Sequence, residues 1–159
     1  MKNVNYAPGR DVCVRDSTPL PLAPGGAQAE GPLELVVPYF TPLPAAQALE
    51  KALELAHGLR AVVTLMAVHV LPYPSPLEAQ EGIRERLEAE LKAVARTSPV
   101  SIRVKLVFAR NRADAFLGLL RKQSLVIIGT GDHWWKTPEE RLARKLTAAG
   151  YRVVLIKVE

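Results

Sequence analysis

Apolar positions along this chain switch between two spacings. Leu33 to Phe40, Ala61 to Val70 and Leu125 to Thr130 are near-continuous aliphatic and β-branched runs, the pattern of strands buried on both faces. Val100 to Ala109 alternates instead. Ile102, Val104, Leu106 and Phe108 oppose Ser101, Arg103 and Lys105, with Val107 interrupting the polar side. That alternation predicts a strand with one wetter face, at a sheet edge. Arg152 to Val158 supplies a fifth strand.

Helical spacing fills the intervals. Ala45, Leu49, Ala52, Leu53 and Ala56 form one stripe, with Gly58 as its stop. Ile83, Leu87, Leu91 and Val94 form a second, for which Ser75-Pro76-Leu77-Glu78 predicts a capped start. Ala113, Phe116, Leu117 and Leu120 make a short third helix, capped by Asn111. Thr137-Pro138-Glu139-Glu140 repeats the cap-plus-proline start, Leu142, Leu146 and Ala149 give the fourth stripe, and Gly150 ends it. Strict alternation of strand and helix predicts an α/β fold. Its form is a five-stranded parallel, doubly wound sheet with helices on both faces and right-handed crossovers. Ligands of such sheets sit where the strand order reverses, at the carboxyl ends of the first and fourth strands. Those ends are Pro38-Tyr39-Phe40-Thr41 and Gly129-Thr130-Gly131.

Composition separates residues 1–32 from the rest. Pro8, Pro19, Pro21, Pro24 and Pro32 alternate with Gly9, Gly25, Gly26 and Gly31, a poor helix or strand former that reads as an extended arm. Val12-Cys13-Val14 is its one patch able to pair as an edge strand. The 33–159 segment then forms a single domain, and 159 residues at 48% hydrophobic suffice for its core. Cys13 is the only cysteine, so no internal disulfide forms, which fits a reducing cytoplasm. An apolar leader and a membrane-length apolar run are both missing from the sequence. The formal charge of +5 is spread along the chain. It reads as solvated helix faces before a nucleic-acid surface.

Candidate chemistry concentrates after the fourth strand. Gly129, Thr130 and Gly131 read either as an anion loop or as a strand-end turn using glycine where φ is positive. Lys136 and the start of the Thr137 helix offer a place for a lone anion. Trp134 and Trp135 read as a subunit interface, a lid over the core or a base-stacking pair, the first two being favoured. Asp132 and His133 lack a supporting nucleophile and read as a solvated loop pair. His69 reads as half-buried, His57 as a helix C-terminal residue, and the histidines show no metal spacing. Arg141, Arg144 and Lys145 read as a solvated face, with Glu140 placed to pair with Arg144.

From Leu33 to Glu159 the chain resembles the universal stress protein family. The likeness lies in Val36-Val37-Pro38, the Ala48 to Ala56 helix, Val68-His69-Val70, Ala113-Asp114-Ala115 and Val126-Ile127-Ile128-Gly129-Thr130, in that order and at the family's spacing. The resemblance implies an adenine nucleotide alpha hydrolase-like fold that dimerises through its last strand, which places Val154 and Ile156 at the interface. Many members of that family bind ATP through Gly-x-x-Gly followed, after nine residues, by Gly-Ser or Gly-Thr. Here Gly129 matches the first glycine, Asp132 stands at the second, and the later pair falls on Leu142-Ala143. Phe40 stands where the family commonly has an aspartate. A non-enzymatic stress-response or regulatory homodimer is therefore expected, able to meet a protein partner, without a membrane or nucleic-acid role. Its ATP binding would be lost or weakened and it would need no cofactor or metal. The alternative is a divergent ATP- or AMP-binding regulator with slow or no hydrolysis, holding its ligand through Gly129, Thr130, Gly131, Pro38 and Thr41.

Overall fold

The computed structural model describes residues 32–77, 80–132 and 136–158, together with the backbone of residues 4–6 and 12–16. Two short strands come first, β1 (Val4–Tyr6) and β2 (Val12–Asp16). The alternating unit follows: β3 (Leu33–Tyr39), α1 (Pro42–Ala56), β4 (Ala61–Val70), α2 (Glu81–Ala95), β5 (Arg103–Ala109), α3 (Arg112–Leu119), β6 (Leu125–Thr130), α4 (Pro138–Ala148) and β7 (Arg152–Lys157). The sheet order is β1-β2-β5-β4-β3-β6-β7. Five strands, β5 to β7 in that order, are parallel to their neighbours, as the alternation requires.

Burial separates the two faces of the sheet by strand parity. Leu35, Val37, Leu65, Leu106 and Ile127 pack against Ala45, Ala48, Leu49 and Ala52 of α1 and Leu91 and Val94 of α2. Val36, Met66, Val107, Val126 and Ile128 turn to the other face, against Phe116 of α3 and Leu142, Ala143 and Leu146 of α4. Helices on both faces leave the central strands dry on both sides, which is why their sequences run apolar without alternation. The helix starts at Asn111 and Thr137 form as expected. Asn111 Oδ1 accepts from the Asp114 N–H at 3.1 Å, and Thr137 Oγ1 from the Glu140 N–H at 3.3 Å. Gly58 and Gly150 take positive φ, 77° and 92°, just past the ends of α1 and α4, where glycine alone is unstrained.

Three expectations are corrected. Ser75 does not start α2: the helix begins at Glu81, and Gln80 stands at the N-cap position without a capping bond, its side chain donating instead to the Pro76 carbonyl at 3.0 Å. Leu77, only 6% exposed, ties the intervening segment to the core. The fourth stripe is completed by Ala143 rather than by Ala149, which is exposed. Finally, β5 is the edge of the parallel set but not of the sheet, because β2 pairs with it antiparallel from Val12↔Ala109 to Asp16↔Lys105. The Val12-Cys13-Val14 patch is thus a strand, and β1 extends it through Val4↔Arg15 to Tyr6↔Cys13.

Candidate functional site

The crevice forms where the strand order reverses. β3 pairs with β4 along its full length, Leu33↔Ala61 to Tyr39↔Ala67. Its ladder with β6 covers only Leu35↔Leu125 and Val36↔Val126. Beyond that point the carboxyl ends of β3 and β6 part. The first turn of α1 occupies the gap. A Cβ on Gly129 would lie 2.2 Å from the Pro44 carbonyl oxygen and 2.8 Å from its carbon. Gly129 is therefore a glycine because a helix backbone crosses it, and it is not among the described positive-φ residues. That turn carries Pro42 and Pro44, and proline has no N–H, so two donors an anion would seek at a helix N-terminus are missing.

The other expected ligand residues share this edge without converging on a phosphate. Pro38 lies within β3 opposite Met66 and has no N–H to offer. Thr41 is the exposed N-cap of α1, and its hydroxyl makes no capping bond. Thr130 is 4% exposed; its hydroxyl donates to the Ile156 carbonyl at 3.5 Å and its carbonyl accepts from the Val158 N–H at 2.8 Å. Its polar groups are spent on the β7 side. Gly131 is half-buried at the loop, followed by exposed Asp132. Leu142 and Ala143, reached by the family's nine-residue spacing, are buried inside α4. Only residues 131–137 separate β6 from α4, so that count overruns the loop into the helix. His133, Trp134 and Trp135 lie outside the described residues.

A second feature of the same sheet edge escaped the sequence reading. Val70, Arg110, Asn111, Arg112, Ala113, Pro138, Arg141, Leu142, Arg144 and Lys145 line a cavity of about 480 Å³ between α3 and α4. Arg110 Nη1 donates to the Leu71 carbonyl at 3.2 Å and the Pro72 carbonyl at 3.0 Å, and its guanidinium lies 4.1 Å over the Tyr73 ring. The Arg112 guanidinium lies 4.8 Å over the Phe40 ring. Burial holds it below its usual range, and the Glu139 carboxylate opposes that shift. The expected Glu140–Arg144 bridge is not found among the described residues, where Lys51–Glu54 and Arg84–Glu81 do pair. The signal available in the sequence was Arg-Asn-Arg directly after an apolar strand, where α/β folds gather ligand groups. A larger apolar groove, about 650 Å³ and lined by Leu53, Ala56, Val63, Val100 and Ile102, opens at the opposite edge. That is the amino end of the strands, away from the reversal.

The remaining histidines are accounted for by packing. His69 meets Phe108 edge-on, ring centroids 5.8 Å apart. Burial lowers its pKa, and the Arg86 and Arg112 charges lower it further, so its surroundings favour the neutral ring. His57 is the C-cap residue of α1. No three described His, Cys, Asp or Glu residues cluster as metal ligands.

At the far edge, β7 pairs with β6 along six residues and has no neighbour on its other side among the described strands. Val154 and Leu155 are 37% and 49% exposed there, whereas Ile156 is partly covered by the core on the α1 face. Of the two residues expected at an interface, Val154 is therefore exposed and Ile156 is partly covered, while Leu155 is exposed as well.

No protein-family model matches the chain, and no curated protein sequence does. Solved structures do. One is a universal stress protein in complex with cAMP, 13% identical, TM-score 0.55, covering 80% of this chain and 98% of its own. Another is a universal stress protein family member from Burkholderia pseudomallei, 23% identical, TM-score 0.51, covering 77% of this chain and 94% of its own. Both likenesses reach almost the whole of the solved chain; the chain has the fold of the universal stress proteins.

Proposed function

We propose that this chain is a non-enzymatic regulatory module of the stress-response kind, acting in the cytoplasm as a homodimer joined through β7. The observation that carries this reading is the free edge of β7. Among the described strands it pairs on one side only, and it exposes apolar side chains, Val154 and Leu155, toward opposite faces of the sheet. An unpaired edge with apolar residues is a template for another strand. The crevice supports the same reading from the other direction. The α1 backbone lies against Gly129, and Pro42 and Pro44 remove amide donors, so a triphosphate cradled by glycine N–H groups has no seat in the family's pose. Among the described residues, no helix is long and apolar enough to cross a membrane.

Sedimentation velocity tests the assembly: a dimer at micromolar concentration is expected, converted to a monomer by Leu155→Glu. An ATPase assay tests the rest, and turnover above the blank with Mg·ATP would refute the non-enzymatic reading.

A second reading is favoured by one comparison. A structural neighbour is in complex with cAMP, a nucleotide without a triphosphate tail. A divergent site for such a nucleotide is compatible with a crevice that has lost its phosphate loop. Nucleotide released on denaturing the purified protein, identified by mass spectrometry, would support this reading over the first.

A further inference from the structure

We propose that the cavity between α3 and α4 binds a small organic phosphate, a phosphomonoester or diphosphate ester, gripped by side-chain cations rather than by a glycine loop. None of its lining residues belongs to the crevice between β3 and β6.

Two segments remote in sequence bring the charge together. Arg110 and Arg112 follow β5, and Arg141, Arg144 and Lys145 project from the first two turns of α4. Arg141 stands three and four residues before Arg144 and Lys145, spacings at which like charges repel on a helix. Among the described residues, no carboxylate forms an ion pair within 4.0 Å with any of the five cations. Glu139 is the buried acid on this side and faces Arg112, while Asp114 on α3 and Glu140 on α4 are the other acids of these helix starts. Five cations against three unpaired carboxylates leave the cavity positive.

The guanidinium groups are also prepared for an acceptor. Arg110 is fixed by two carbonyls and stacked on Tyr73, and Arg112 is held over Phe40. Yet the Nε–H of each is buried with no hydrogen-bond partner. A guanidinium fork matches phosphate oxygens better than any other side chain. The N-terminal ends of α3 and α4 both reach the cavity, through Asn111 and Pro138, and add their dipoles to the same field. Val70, Ala113 and Leu142 add apolar lining to the same cavity. Cationic and apolar lining together, in a space of about 480 Å³, fit an organic phosphate with a ring or short carbon skeleton. It is a concave pocket and not a stripe, so a nucleic-acid backbone is the poorer match.

Isothermal titration of the full-length protein with inorganic pyrophosphate, AMP and a hexose phosphate tests the assignment. Saturable submillimolar binding of at least one probe is expected. Its affinity should fall by about tenfold or more in Arg112→Gln and in Arg141→Gln. It should fall less in Arg112→Lys, which keeps the charge but not the fork, and remain unchanged in the exposed Lys122→Gln. AMP tighter than the hexose phosphate would mark a nucleotide ligand, and the reverse a sugar phosphate. Far-UV circular dichroism guards against misfolding of the Arg112 variants, and Arg144→Gln, at an exposed position, gives a second route to the same loss. No saturable binding of any probe, or equal weakening by Lys122→Gln, overturns the proposal. So does a single-stranded oligonucleotide that binds more tightly than every small probe. The dimer state of these variants is read separately, and it is expected to match the wild type whichever way the titration falls.

Discussion

A methyl group separates the two meanings of Gly129. In a phosphate loop alanine would weaken a ligand; here it would meet the Pro44 carbonyl oxygen at 2.2 Å, backbone against backbone, with no flexible side chain to yield. Gly129→Ala is therefore expected to destabilise the protein by about 3 kcal/mol or more in denaturant unfolding. Gly82, in the first turn of α2 with nothing within 4 Å of an added Cβ, is the contrast: Gly82→Ala should gain about 0.5 kcal/mol. Tyr39 gives a pH signature. Burial, together with the charge of Glu90 and the bond its hydroxyl donates to Glu90 Oε2 at 3.2 Å, pushes the phenol up to about 12. The folded state therefore favours the neutral phenol more strongly than the unfolded chain does. The stability this contributes is complete below pH 10 and is lost as pH rises through 10 to 12. Tyr39→Phe should cost about 1 kcal/mol at neutral pH and flatten the decline above pH 10. An unchanged slope would show that another group governs alkaline unfolding.

Among the elements, those whose cause is local were legible in the sequence and those whose cause is tertiary were not. Asn111 and Thr137 cap their helices because a short polar side chain can reach an N–H three residues on, and sequence alone fixes that reach. Each replaced by alanine should cost about 1 kcal/mol, while Ser75→Ala should stay within about 0.5 kcal/mol, since α2 does not begin there. Thermal unfolding of the three variants side by side checks the contrast. The start at Ser75 misled because the same residues also suit a turn, and burial of Leu77 together with the Gln80 bond to Pro76 selected the turn. The β5 alternation was correctly a sign of a wetter strand. That β2 would cover its edge was beyond periodicity, because pairing partners are chosen between distant segments. The same limit hid the site. Gly-Thr-Gly was recognisable as a strand end, although Gly129 and Thr130 still belong to β6 and only Gly131 lies beyond it; but Gly129's partner is a helix carbonyl far back in the chain, and the cationic cavity exists only once α4 is laid beside the end of β5.

For the whole molecule, strand alternation was enough to read the doubly wound sheet, and the structural neighbours share it. Fold does not choose among the functions this architecture hosts; the edges do. On one side β2 covers β5, and the described sheet ends at β1, a strand of only three residues. The other ends at β7 with Val154 and Leu155 in solvent. Two copies joined there would bury both and continue the sheet across the dimer, given the roughly 800 Å² per partner of a standard interface. The cationic cavity lies between α3 and α4, clear of the β7 residues, so assembly and anion binding should vary independently.

The most direct measurement is sedimentation velocity on the wild type and on Leu155→Glu at micromolar concentration. The expected result is a wild-type species of twice 17.4 kDa and a variant at 17.4 kDa with unchanged circular dichroism. A wild-type monomer, or a Leu155→Glu protein that still sediments as a dimer, would contradict assembly through β7.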